Sequence, residues 1–268
     1  MTISNGYRKL SCPSCGTFYG TPGYISINYS AREYWSDGRM VDCLAPIEKD
    51  LAKCNCGAVF LLSEIDLGPL VYNPLPLPPA NWETEELPSY LLAKGETSRD
   101  FYLRHYDFRT EKERAEEEKL RPQILPTVEN REISGLLCRN DLSKNVVIEL
   151  RRRYWRYLND DYREKYKKYK KNESLVGYPD FILTTEQENN LKALLLLLED
   201  SPKPQYLEIA EIYRELGMFK LANEIYVFKY LDENRDVGDP AEIGEKILYG
   251  INYPFIFDGF FTRTKNIF

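Results

Sequence analysis

Residues 12–16 read Cys-Pro-Ser-Cys-Gly and residues 54–57 read Cys-Asn-Cys-Gly. Two thiolates separated by two residues can reach one ion from a tight turn. A glycine after the second cysteine supplies the left-handed backbone that turns N–H groups toward the sulfurs. Cys12, Cys15, Cys54 and Cys56 are therefore the expected ligands of one metal ion, Zn2+, with iron as the alternative. Four thiolates close a tetrahedral site and leave no position for water or substrate, so the expected role of the zinc is structural. The second pair is one residue shorter than the first and tightens its turn. Cys43 is the reserve ligand for Cys54 or Cys56. Cys138, between Leu137 and Arg139, reads as a core thiol.

Outward from the cysteines the chain reads as short β-segments. Tyr24 to Tyr29 alternates loosely, and Ala58 to Leu62 is an apolar strand. Glu33-Tyr34-Trp35 and Arg39-Met40-Val41 flank Ser36-Asp37-Gly38, a hairpin turn with Gly38 supplying the positive φ. Residues 1–66 are thus a small β-rich zinc ribbon. Residues 67–82 carry Pro69, Pro74, Pro76, Pro78 and Pro79, a spacing that forbids a helix or a central strand and predicts an extended connector.

Residues 83–268 carry mainly helical patterns, which makes the fold class α+β. Residues 108–120 are dense in good helix formers. Residues 141–171 are the longest helix expected, with Asp141 or Ser143 as N-cap. Thr184-Thr185-Glu186-Gln187-Glu188 holds two overlapping capping boxes ahead of the leucine run at 191–198. Asp239-Pro240 starts a further helix. Tyr253, Phe255, Phe257, Phe260, Phe261 and Phe268 crowd the end of the chain and need an apolar surface to cover them, in this chain or on a partner.

The CPSCG and CNCG knuckles, with Tyr34-Trp35-Ser36-Asp37-Gly38 between them and a hydrophobic strand after, resemble the zinc-ribbon modules at the front of uncharacterised bacterial proteins. The resemblance covers about residues 8–65 and implies metal binding. Residues 205–232 resemble a single tetratricopeptide-like (TPR-like) helical hairpin, with Ala210 and Tyr213 in its first helix, Gly217 at its turn, and Phe219, Ala222 and Tyr226 in its second. Lys229 stands where the repeat has a small residue. The resemblance implies a surface for protein–protein interaction.

Between 141 and 171, eleven Lys and Arg stand against five Asp and Glu. On a helical wheel Val147, Leu150, Tyr154, Leu158, Tyr162, Tyr166 and Tyr169 line one side, and Arg152, Arg156, Arg163, Lys167 and Lys170 run along the other. Two readings follow: a phosphate-binding face for nucleic acid, or a solvated face on a helix whose tyrosines enter the core.

Composition narrows the function classes. A net charge of −6 gives no global attraction to nucleic acid or to anionic membrane. The longest apolar run, Ala193 to Leu198, is far short of the roughly 20 residues that cross a bilayer. The N-terminus shows no secretory pattern, so a cytoplasmic location is expected, where clustered cysteines bind metal rather than pair as disulfides. A single histidine, His105, leaves little room for His-based chemistry, and no phosphate loop, dinucleotide fingerprint, HExxH or GxSxG occurs. The expected function is a non-enzymatic zinc-binding adaptor or scaffold whose helical domain holds a protein partner. The alternative is a nucleic-acid-associated accessory protein working through the 141–171 helix. A weaker alternative is an enzyme whose carboxylates come together only on folding.

Overall fold

The computed structural model describes residues 3–26, 33–41, 50–71, 80–81, 97, 101–102, 106–107, 110–120, 122–171, 180–202, 204–230 and 241–255. These residues form a strand-rich N-terminal part and a helical C-terminal part, an α+β arrangement. The chain clusters into two compact units, one from residues 1–27 and 65–125, the other from 28–64 and 126–268.

In the first unit, β1 (Ile3–Ser11) and β2 (Phe18–Ser26) form an antiparallel hairpin closed by the first cysteine knuckle, in register from Tyr7↔Pro22 to Ser11↔Phe18. Two-residue strands complete the sheet: β7 (Leu70–Val71) antiparallel to β1 and β8 (Gln123–Ile124) parallel to β2. β7 directly follows Pro69 and lies at an edge, as a segment interrupted by proline must. The rest of the proline-rich stretch, apart from residues 80–81, lies outside the described residues, as does His105. The helix expected at 108–120 is α1 (Glu111–Leu120); Thr110 stands at its start and exchanges hydrogen bonds with Glu113.

In the second unit, β3 (Glu33–Tyr34) and β4 (Met40–Val41) form the expected hairpin. Gly38 N–H donates to the Trp35 carbonyl at 2.9 Å, with Gly38 at φ 78°. β5 (Leu51–Lys53) and β6 (Val59–Leu61) form a second hairpin around the other knuckle. Six helices follow α2 (Ile133–Leu137) among the described residues. These are α3 (Lys144–Leu158), α4 (Asp160–Lys171), α5 (Thr185–Glu199), α6 (Tyr206–Glu215), α7 (Phe219–Ile225) and α8 (Ala241–Leu248). α7 runs on as a π-helical turn, Tyr226–Tyr230. Among the described residues, no helix is long and apolar enough to cross a membrane.

The helix starts follow their caps. Ser143 Oγ accepts from Val146 N at the head of α3, and Thr184 and Gln187 close a reciprocal capping box on α5. The single helix expected over 141–171 is instead two, meeting at Asn159. Backbone bonding runs almost through the joint, from Asn159 N to Trp155 O and from Arg163 N to Asn159 O, both at 3.1 Å. What marks the joint is the side chain of Asn159, fully buried and drawn into hydrogen bonds with other segments.

α3 is covered on two sides. Leu150, Val146 and Tyr154 pack with Leu51 and Leu61 of the β5–β6 hairpin and with Ile133 and Leu136 of α2. Ile148 and Trp155 pack with Leu191, Leu194, Leu195 and Leu198 of α5 and with Ile209 and Ile212 of α6. A third cluster joins α6, α7 and α8 through Ala210, Ala222, Tyr226, Ile243 and Ile247, and takes in Phe255. There Gly244 approaches Tyr226 so closely that a Cβ would lie 2.7 Å from the ring. Leu150 has no exposed surface and Leu196 on α5 is 69% exposed. Leu150→Ala is expected to lower the unfolding free energy by about 2–5 kcal/mol. Leu196→Ala should stay within about 0.5 kcal/mol of the wild type. Urea unfolding followed by far-ultraviolet circular dichroism measures both.

Candidate functional site

The two knuckles are built by the same device at two lengths. At the first, Cys12 N–H donates to the Thr17 carbonyl and Gly16 N–H to the Cys12 carbonyl, both at 2.9 Å. At the second, Cys54 N–H donates to the Ala58 carbonyl at 2.8 Å and Gly57 N–H to the Cys54 carbonyl at 2.9 Å. The one-residue spacing of Cys54 and Cys56 thus removes one residue from the loop and keeps both closing bonds. Gly16 at φ 73° and Gly57 at φ 91° occupy the left-handed region that a side chain would strain.

The second knuckle is held within its own unit. Arg139 Nη1 donates to the Gly57 carbonyl at 2.6 Å while its Nε and Nη2 grip Asp141. Lys53 pairs with Glu132 at 2.5 Å, and this bond holds the Glu132 carboxyl below its ordinary range. Cys138, expected in the core, is exposed. It lies at the end of α2, where its thiol donates to the Ser134 carbonyl of the preceding turn at 3.4 Å.

The sulfurs of Cys12, Cys15, Cys54 and Cys56 all lie within 4.8 Å of one another, with Cys12 and Cys54 buried and Cys15 and Cys56 exposed. Four thiolates bound at about 2.3 Å around one ion stand roughly 3.8 Å apart, a spacing that this group approaches. Cys56 N–H already donates to Cys54 Sγ at 3.4 Å, the kind of bond that stabilises a thiolate. The donor set fits a metal ion held by sulfur alone. Cys43 lies outside the described residues.

The five basic residues singled out on 141–171 do not share one environment. Arg152 binds Glu208 with two hydrogen bonds of 2.7 Å. Arg156 is buried, with Nε donating to the Asp37 carbonyl at 3.4 Å and Nη1 4.0 Å from Glu149. Arg163 is buried between Asp37 and Asp160, with its guanidinium over the Trp35 ring. Lys167 lies 3.6 Å from Glu33. Lys170 belongs to α4, and its side chain lies outside the described residues.

Around these arginines lies a buried polar cluster that the sequence reading did not anticipate. Asp37, Glu211 and Glu215 are each 1% exposed or less, and Arg214 is fully buried. Asn159 Nδ2 donates to Asp37 at 3.0 Å and to Glu215 at 3.3 Å, while Trp155 Nε1 donates to Glu215 at 2.8 Å. Arg214 pairs with Glu211, bonds the Ile251 and Tyr253 carbonyls and reaches Ser36 Oγ at 3.5 Å. Glu208, Glu211 and Glu215 recur at helical spacing and share one narrow face of the helix, a pattern that reads as a solvated stripe, so the sequence carried no signal of their burial. Nothing in the sequence indicated which cations would meet them.

The chain matches no protein-family model, no curated protein and no solved structure.

Full-length protein is expected to carry about one equivalent of metal, read by inductively coupled plasma mass spectrometry. Cys12→Ser/Cys15→Ser and Cys54→Ser/Cys56→Ser should each lose it, and Cys43→Ser should keep it. A full equivalent in either double variant would move the site to other ligands.

Proposed function

We propose that this chain is a non-enzymatic, cytoplasmic zinc-binding adaptor whose helical part holds a protein partner. In this reading zinc fills the four-thiolate group and closes the two knuckles, with no ligand position open for a reaction. α6 and α7 then act as a TPR-like hairpin. Ala210 and Ala222, both with no exposed surface, suit close helix packing, and Gly217 at φ 72° suits the turn between the helices.

One observation carries the reading: the apolar residues that this region leaves uncovered. Met218, Leu221, Val227 and Phe228 on and around α7 are exposed, Phe228 at 69%, as are Leu248 and Tyr249 at the end of α8. Apolar residues grouped in this way are the usual mark of a surface that another chain covers. The nucleic-acid alternative has less support. Arg152, Arg156 and Arg163 spend their charge on carboxylates or are buried, and such groups release few counterions on meeting phosphate.

The test is affinity purification of the full chain from its native host, with Leu221→Asp/Phe228→Asp as the comparison. A stoichiometric protein retained by the wild type and lost by the variant is the expected result, with circular dichroism showing the variant folded. Recovery of nucleic acid alone, lost on raising the salt, would replace this reading with the alternative.

A further inference from the structure

Of the three buried carboxyls Asp37, Glu211 and Glu215 beneath the Trp35 turn, two have a close guanidinium partner. Arg163 lies on Asp37, and Arg214 lies on Glu211 with Nη2–Oε1 at 2.5 Å. Glu215 is left with two neutral donors, the Trp155 indole and the Asn159 amide, and its nearest cation is Arg214 Nη2 at 3.9 Å. Four segments contribute the groups around it: Asp37 from the β3–β4 turn, Trp155, Arg156 and Asn159 from the end of α3 and its joint with α4, Arg163 and Asp160 from α4, and Glu208, Glu211 and Arg214 from its own helix. Gln187 of α5 stands behind Asn159, donating to its amide oxygen at 3.2 Å.

Arg214 also holds a separate stretch of chain. It bonds the carbonyls of Ile251 and Tyr253, and its guanidinium lies 5.2 Å from the Phe255 ring. Ser36 and Phe255 are joined by Ser36 N–H to the Phe255 carbonyl at 2.9 Å and Phe255 N–H to Ser36 Oγ at 3.2 Å. Arg214 therefore secures the 251–253 stretch, with one long contact to Ser36, while the Glu215 carboxyl stands 3.9 Å from the same guanidinium.

We infer that Glu215 and Arg214 form a proton-operated clasp: with a proton on Glu215 the clasp is closed, and when that proton leaves to solvent Arg214 turns to Glu215 and frees residues 251–255, while the 35–38 turn stays held by Asp37 on Arg163 and Asn159. Burial, and then the negative charges of Glu211 and Asp37, push the Glu215 carboxyl well above its ordinary 4.5. The folded state thus keeps a proton that the unfolded chain releases above about pH 4.5. The stability this carboxyl contributes is complete below that pH and declines as pH rises toward its folded value. Release of a single proton changes the opening equilibrium by at most about tenfold per pH unit.

Hydrogen-exchange mass spectrometry of the full-length protein between pH 6 and 9, corrected for the intrinsic pH dependence of exchange, tests the clasp. Protection of the peptide covering 33–41 should stay level with pH in the wild type, while that covering 250–255 falls. In Glu215→Gln, which mimics the protonated carboxyl, it should stay level, while peptides from α5 stay level in both. The same fall in both proteins, or no fall in the wild type, would overturn the proposal. Should Glu215→Gln not fold, infrared spectroscopy of the wild type decides. A protonated-carboxyl band present at pH 6 that disappears together with the protection is expected, and its absence at pH 6 would overturn the clasp.

Discussion

Asp37 and Arg163 meet where almost no solvent reaches either, and much of the second unit is arranged so that they can. Taking an ion out of water costs several kcal/mol even after the protein relaxes, so a buried charge persists only where its partner and its remaining hydrogen bonds are in place. Asp37 has both: Arg39 N–H on one oxygen, and Arg163 with Asn159 on the other. These demands locate the β3–β4 turn, the joint between α3 and α4, and α6 with respect to one another. An apolar contact would tolerate sliding. This set of bonds is complete in one arrangement only, and partial sets leave a charge unmet.

The knuckles solve a related problem with different chemistry. Their strands are short, and β5 and β6 bury little beyond Leu51, Ala52, Phe60 and Leu61. Turn bonds at both glycines and the Arg139 bond to the Gly57 carbonyl hold what so small a core cannot. Within the cysteine group, Cys15 and Cys56 are exposed and Cys12 and Cys54 are buried.

Several parts of this structure could be read in advance because their causes are local. The caps at Ser143 and Thr184 and the turn at Gly38 each depend on residues within a few positions. The grouping of the four cysteines was legible as well, since thiols at such spacings followed by glycine have few other uses. The surroundings of Arg156 and Arg163 were not legible. A helical wheel ranks residues by the face they share, and α3 is covered by β5–β6 on one side and by α5 and α6 on another, so a charged face need not face water. Cys138 misled in the opposite sense, for its apolar neighbours Leu136 and Leu137 mark where α2 ends rather than a buried surface for the thiol.

Sequence alone determined the β-rich and helical parts, where several of the helices start, and which four cysteines come together. Those outcomes follow from backbone preference, capping and ligand chemistry, all of short range. Tertiary structure decided which charges are buried and with whom: Asp37 with Arg163 across 126 residues, Trp155 with Glu215 across 60, and Ser36 with Phe255 across 219. The physical reason is that a carboxylate carries no local mark of its partner. Its environment is set by which surfaces pack around it, and that is known only once the helices have met.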